Sequence, residues 1–451
     1  MNATDRADAI VSGRLRAAAG REPLPGPAVG ETAAELAASI AAGSVHAQRF
    51  EAEIAAAVRG TALALEAARP HPQDLWAAAA AAHEDPSVWF EQAVLLGHPT
   101  HPLARSRGEL SDDEIRAYAP EHGARFDLGV YRVPLFLTNV GWGTQSDDPP
   151  ILPVHPWQAR RRGLSDPEQV WKAAAPLMSL RTVSVGVLHV KMAIDLQLTS
   201  AVRHVSAAAA MNGEKIGQRL SRPAKDFGIR LLPEYTAAMH VQTDGVRDTG
   251  LAAILRPAPH LLGHPRAVPL AALAEPDPAT GRPIAAALAG DNLDEWWAAF
   301  VAVALAPVRL FEATGVALEA HGQNTLASFT GDRPTSLVYR DFGGVRVPKT
   351  GWPALQGDIQ TDDADERLRK LTAALFPTTL TAIVDALAVW TGTDPGRWWR
   401  TVATALADIG GDASAHLLKA PWATKATTAM RLADNPTDDI WVAVDNPLAS
   451  V

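Results

Sequence analysis

Apolar and polar positions follow two different rhythms along the chain. Residues 1–20 and 31–82 read as helical, with the Pro-rich stretch 22–29 as a breaker between them. Within 33–69, Leu36, Ile40, Phe50, Ile54 and Leu63 recur with polar spacers, the pattern of helices packed on one another. From about 86 to 235 Pro, Gly and His become frequent and short β-type runs appear. Residues 181–189 are rich in valine, and 190–198 alternates strictly, with Val190, Met192, Ile194, Leu196 and Leu198 apolar. Period two predicts one half-buried strand there. Beyond about 240 helical spacing returns. Residues 293–314 predict a single amphipathic helix carrying Trp296, Trp297, Phe300, Leu305 and Leu310, with Gly315 as its C-cap. A short buried strand is expected at 337–341, a turn at Gly343-Gly344 and helix again over 363–408. The expected class is α+β, with a helical lobe over 1–85, a β-rich lobe over 86–240 and a mainly helical lobe over 241–451.

Composition narrows the chemistry. The 451 residues are 47% apolar and 20% charged, ordinary for a globular protein with a large core. A net charge of −9 argues against a general nucleic-acid binder but leaves room for a local basic pocket. The absence of cysteine excludes disulfides, cysteine zinc sites, iron–sulfur clusters and thioester-forming nucleophiles. It also fits a cytoplasmic location. The first residues lack a basic segment followed by an apolar core, so no signal peptide is expected. No continuous apolar run approaches the roughly 18 residues of a membrane span, so no membrane partner is expected.

Four constellations could carry chemistry. The first is GHPTHPLARSR at 97–107, where two prolines stiffen a segment holding His98, His101, Arg105 and Arg107. Such donors suit carboxylates and phosphates, though a surface loop or a metal site are alternatives. The second is HPWQ at 155–158, readable simply as a packed turn around His155 with a buried indole. The third is Ser179, Arg181 and Thr182, followed by Lys191, Thr199, Ser200 and Arg203. On strands, Ser179 and Arg181 share a face, and so do Lys191, Thr199 and Arg203. A hydroxyl with several fixed cations could hold a nucleotide triphosphate; a solvated sheet face is the alternative. On a straight strand Lys191 and Thr199 would lie about 26 Å apart, so the chain must bend for both to touch one ligand. The fourth is LEAHGQN at 318–324 with YRDFGG at 339–344. Glu319, Asn324 and Asp341 are oxygen donors of the kind Mg²⁺ bound to phosphates takes, and a satisfied buried polar network is the alternative. RDFG is similar to the metal-binding DFG of protein kinases, but no Gly-rich loop, His-Arg-Asp or Walker A sequence accompanies it.

In order and spacing these blocks resemble the IucA/IucC family of siderophore synthetases. The similar elements are GHPTHPLARSR, HPWQ, SLRT, HVKMAIDLQLTSAVR, LEAHGQN, YRDFGG and the tail 425–448, spanning 97 to 448. The resemblance implies a cupped hand of thumb, fingers and palm, with ATP in the cleft between fingers and palm. It implies formation of an acyl adenylate from a carboxylic acid, such as citrate or a citryl or succinyl derivative, with release of pyrophosphate. An amine, hydroxylamine or alcohol then attacks. Carried over block by block, Ser179, Arg181, Thr182, Lys191, Thr199, Arg203, His321, Asn324 and Asp341 fall on nucleotide positions. Glu319 and Asp341 fall on Mg²⁺ positions. His98 and Arg203 fall near the carboxylate to be activated, with Arg105, Arg107 and His155 as further contacts. Arg203, His321, Lys191 and His98 are the catalytic candidates. Family members often form homodimers, and no feature here fixes an interface. The sequence departs from the family in its short length before Gly97, in Arg105 where a lysine is usual, and in the loop after Arg107.

Two other classes compete. A phosphotransferase, suggested by Asp341-Phe342-Gly343 behind Asn324, would yield ADP. A non-catalytic carboxylate-binding protein would turn over no nucleotide.

Overall fold

The computed structural model describes residues 2–138, 151–198, 201–436 and 438–450. The architecture is α+β. Its N-terminal part is built from the helices Ala3–Ala19, Ala33–Ile40 and Ala47–Ala67. Asn2 caps the first by accepting the Asp5 N–H, and Thr32 with Glu35 forms a capping box at the second. Val11, Leu15, Leu36, Ile40, Phe50 and Ile54 close a small core together with Leu103 from the 97–107 segment and Leu432 from near the C-terminus. Leu63 does not join it. The third helix has 21 residues, about 30 Å of rise, so its far end reaches a second core beside Leu110, Trp157, Leu180 and Ile194.

An eight-stranded antiparallel sheet follows. Its order is Leu135–Thr138, Thr236–Val241, Arg247–Pro257, Leu188–Met192, Thr182–Val185, Gln169–Pro176, Phe126–Arg132 and Ile151–Val154. The sheet thus draws a central strand, Arg247–Pro257, from beyond residue 240. Register assigns its faces. Thr182 lies opposite Lys191, which lies opposite Ile254; Ser184 lies opposite His189, which lies opposite Arg256. One face buries Val183, Val190, Met192, Ala253 and Leu255 in an apolar core. The other carries Thr182, Ser184, His189, Lys191 and Arg256.

The alternating run 190–198 is not one strand. It breaks at Ala193 into Leu188–Met192, within the large sheet, and Ile194–Leu198, which pairs with Ala201–Arg203. Ala193 instead donates its N–H to the Ala252 carbonyl. The apolar parity survives the break, but Val190 and Met192 enter one core while Ile194, Leu196 and Leu198 enter another.

A four-stranded sheet, in the order Ala267–Pro269, Thr325–Thr330, Arg333–Tyr339 and Ile229–Leu231, carries the 339–344 motif at its end. The helix Ala207–Asp226 lies between the two sheets' chemistry, with Ile216, Leu220 and Ala224 in the principal core. That core gathers Trp297, Phe300, Phe376 and Trp398 from the C-terminal helices and Trp422 from the strand Trp422–Lys425. The helix expected over 293–314 is two, Leu293–Ala304 and Ala306–Thr314. Pro307 supplies no N–H to the carbonyl four residues back, and the chain turns at Leu305. Gly315 adopts the left-handed conformation expected of its cap. Averaged over a window, Leu293–Thr314 and Ala364–Thr391 do reach the length and hydropathy of a membrane span, against the expectation from continuous runs. More than half of each window (56%) is buried against the rest of the chain, as in core helices.

Candidate active site

The site begins with Lys191 on the polar face of the large sheet. Its ammonium donates to the Asp341 carboxylate, and the two side chains are 7% and 22% exposed. Burial lowers the Lys191 pKa, and Asp341 works against that shift. Burial alone would raise the Asp341 pKa, but the charges of Lys191 and Arg256 outweigh it and hold the pKa below its usual value. Asp341 also has a left-handed backbone, φ 73°, which aspartate tolerates better than most residues.

Tyr339 ties the two acidic residues together. Its buried hydroxyl accepts the Glu319 N–H at 3.2 Å and donates to the Asp341 carbonyl at 3.4 Å. Glu319 then packs against Gly344, where a Cβ would stand 1.9 Å from its Oε2. Only glycine admits the carboxylate there. Behind them, Glu234 accepts the Phe342 N–H at 3.5 Å and lies against Gly213, where a Cβ would stand 2.3 Å from its Oε2. Burial raises the Glu234 pKa to about 7.

The histidines share one local device. Nδ1 of His98, His101, His155 and His321 each accepts the backbone N–H two residues on, from Thr100, Leu103, Trp157 and Gln323. An accepting Nδ1 places the proton of the neutral ring on Nε2. Burial lowers the pKa of His321, and lowers that of His98 to about 3 with help from the positive fields of His321 and Arg14. His98 has solvent-accessible surface although protein surrounds it, as in a cleft. Its ring stands edge-on to His101 at 6.1 Å. At neutral pH these rings are N–H donors rather than cations.

Arg203 lies within the fields of Asp341 and Glu319, which oppose the lowering of its pKa by burial. Arg181 donates to the carbonyls of Arg203 and His204 at 3.2 and 2.8 Å. Burial, reinforced by Arg203, brings the Arg181 pKa down to about 10. Ser179 and Arg181 are not on a strand. They flank Leu180, which is left-handed at φ 64° and buried, in the turn before Thr182–Val185. Ser179 closes that turn by donating to Thr182 Oγ1 at 2.8 Å and accepting the Thr182 N–H at 3.2 Å. Asn324 donates to the Glu319 carbonyl at 3.4 Å and so shapes the loop carrying Glu319 and His321. Thr199 lies outside the described residues.

Of the expected site residues, the structure brings together Lys191, Asp341, Glu319, Arg203, Arg181, His321 and His98, with Ser179, Thr182 and Asn324 at the edges of the same region. It does not bring Arg105, Arg107 or His155 there. Arg105 is 2% exposed and donates to the carbonyls of Val94 and Leu95, with Glu121 at 3.6 Å. Arg107 is 5% exposed and ion-paired to Glu121. His155 is fully buried edge-on to Tyr118 and Phe126, at 5.0 and 5.1 Å, and caps the helix Pro156–Arg161. These side chains already have internal partners, which corrects their expected place at the substrate carboxylate.

Sequence reasoning missed Tyr339, Glu234 and Arg256. Tyr339 stood in the quoted YRDFGG block without a role, Arg256 was a lone charge near the end of the apolar run 251–257, and Glu234 left no signal. Among the described residues no three His, Asp or Glu side chains gather into a closed metal site. Glu319 and Asp341 are joined instead through the Tyr339 hydroxyl.

Fold and cleft define a class in which a sheet lined with fixed cations faces a loop carrying paired carboxylates. Aerobactin synthetase IucA from a hypervirulent pathotype of Klebsiella pneumoniae, solved with ATP bound, has this fold. It superposes with a TM-score of 0.74 at 21% identity, over 89% of this chain and 83% of that one. Petrobactin biosynthesis protein AsbB from Bacillus anthracis str. Sterne superposes with a TM-score of 0.70 at 17% identity, over 90% and 79%. Residues 87–275 match the IucA / IucC family model, and 294–448 match a model described as ferric iron reductase FhuF-like transporter. The IucA / IucC match thus covers the part of the chain that supplies Lys191 and Arg203. It is similar to staphyloferrin A synthase of Staphylococcus aureus (strain NCTC 8325 / PS 47), 27% identical over 58% of this chain and 53% of that protein. It is also similar to rhizobactin siderophore biosynthesis protein RhbC of Rhizobium meliloti (strain 1021), 29% identical over 59% and 55%. The chain thus spans about half the length of these relatives.

Proposed function

We propose that this protein is an ATP-dependent ligase. It adenylates a carboxylic acid, citrate or a citryl or succinyl derivative, and condenses it with an amine, hydroxylamine or alcohol. AMP and pyrophosphate are the by-products, and the product belongs to siderophore biosynthesis. The single observation that carries this reading is the convergence of Arg181, Lys191 and Arg203 on Asp341, with Glu319 also acting on Arg203. The ATP bound by the similar aerobactin synthetase supports the same choice of nucleotide.

Carboxylates are poor electrophiles, and adenylation supplies a leaving group. Lys191 and Arg203 stabilise the charge that builds on phosphate as pyrophosphate departs. Neutral His321 and His98 offer Nε2–H bonds, to phosphate and to the acyl carboxylate respectively. Because Nδ1 is taken by backbone N–H groups, neither ring is well placed as the base for the second half-reaction. Glu319 and Asp341 would hold Mg²⁺, which would neutralise phosphate charge. To do so Asp341 would give up its Lys191 contact, which would leave the ammonium for the nucleotide. In this reading residues 1–85 serve as thumb, 86–257 as fingers, because their sheet includes Arg247–Pro257, and the rest as palm. The enzyme works in the cytoplasm on small molecules, without nucleic-acid or membrane partners, and homodimerisation is left to a sedimentation measurement.

The test is to incubate the protein with ATP, Mg²⁺, hydroxylamine and a panel of carboxylic acids, and to identify the nucleotide product. AMP formed only with particular acids establishes adenylation and names the acid. ADP points instead to phosphotransfer. Nucleotide binding without turnover on any acid points to a binding protein.

A further inference from the structure

Arg256 lies beside this site, where its charge helps to hold the Asp341 pKa down. It is 3% exposed, yet its Nε and Nη1 hydrogens have no partner among the described residues. No carboxylate lies within ion-pair distance of it among the described residues either. The acidic groups whose fields reach it are Asp341, Glu234 and Glu91. Asp341 is paired with Lys191 and Glu91 with Arg340, while Glu234 receives the Phe342 N–H. Removing a guanidinium from water without a partner is strongly unfavourable, so a buried unpaired one calls for an anion from outside the chain.

Position says which anion. Arg256 is opposite His189 in register, and Ile254, two residues before it, is opposite Lys191. Arg256 therefore shares the sheet face of Lys191, and its field acts on both Arg181 and Asp341. The acyl-carboxylate candidate His98 feels His321, Arg14 and Arg21 instead. Arg256 thus belongs to the Lys191–Asp341 end of the cleft.

We propose that Arg256 binds the departing polyphosphate, its planar fork gripping the two terminal phosphates of the nucleotide and then free pyrophosphate. Planar N–H pairs suit phosphate oxygens, and a guanidinium keeps its charge at neutral pH even when burial brings its pKa to about 10. This rests on the proposed ligase function for the identity of the nucleotide, but pyrophosphate binding can be measured without turnover.

The experiment titrates inorganic pyrophosphate with Mg²⁺ into wild-type, Arg256→Met and Arg256→Lys proteins by calorimetry, alongside thermal melts. Arg256→Met is expected to weaken pyrophosphate binding by about tenfold or more without lowering the melting temperature, because it removes an unpaired buried charge. A structural role for Arg256 would give the opposite, a lowered melting temperature with pyrophosphate affinity retained. Arg256→Lys keeps the charge and loses the fork, and is expected to weaken binding by several-fold; wild-type affinity in this variant overturns the proposal even if Arg256→Met does not fold. A wild-type protein that binds no pyrophosphate also overturns it. Failure of the ligase reading shows separately, as wild-type protein that binds pyrophosphate through Arg256 but forms no AMP with any acid.

Discussion

Lys191 and Asp341 meet across 150 positions of sequence, one in the large sheet and the other just past the end of the small one. Their ion pair joins the two sheets at the point where the cations and carboxylates of the cleft converge. In the proposed function each of the two would exchange this partner for ligand, so occupancy of the site and the geometry of the pair would be coupled.

Asp341→Asn removes the charge while keeping a residue that tolerates the left-handed backbone. The variant is expected to fold, and either to need more Mg²⁺ for acid-dependent AMP formation or to lose activity. A Mg²⁺ titration identical to that of the unaltered protein would remove Asp341 from the metal site.

Arg203→Ala tests the cation facing both carboxylates. Because its guanidinium is assigned to ligand charge, AMP formation should be abolished while the thermal transition and far-ultraviolet spectrum are kept. Near-normal turnover would take Arg203 out of the site.

Gly344→Ala probes the packing that seats Glu319. A Cβ at 1.9 Å from Oε2 forces the carboxylate away. Activity at limiting Mg²⁺ should fall by about tenfold or more, with partial recovery at high Mg²⁺. Equal loss at every Mg²⁺ concentration would speak against Glu319 as a ligand.

Glu121→Gln examines the buried cluster that claims Arg105 and Arg107. Burial would raise the Glu121 pKa, but Arg105 and Arg107 outweigh it and bring it to about 2. A depressed carboxylate pKa contributes stability above its ordinary value of 4.5, and that contribution is lost as pH falls toward 2. The variant leaves buried guanidinium charge without its anion and should lose about 3 kcal/mol at neutral pH. It should also show a shallower loss of stability between about pH 4.5 and 2 in denaturant titrations. If Glu121→Gln instead altered only the affinity for the acid, Arg105 and Arg107 would belong to the substrate site after all.

Much of the architecture was legible because it depends on local periodicity. The apolar spacing of Leu36, Ile40, Phe50 and Ile54 requires a helical face whatever that face packs against, and Gly315 requires a helix end. The region where charged side chains gather was legible too, since arginine, lysine and acidic residues in short blocks mark it. What local pattern could not supply was partnership. His155 and Arg203 look alike in sequence, each a cationic type beside apolar residues, yet one is sealed among aromatic rings and the other faces two carboxylates.

The sequence by itself determined the class of fold, the charged and polar blocks that meet beside Asp341 and the family they resemble, because hydrophobic period and residue type are written along the chain. Only tertiary structure decided that 190–198 breaks at Ala193, that Arg105 and Arg107 go to Glu121, and that Tyr339, Glu234 and Arg256 join the cleft. Those outcomes depend on which charges and carbonyls meet across 14 to 150 positions, and in a low-dielectric interior the nearest partner governs what a buried charged group can do.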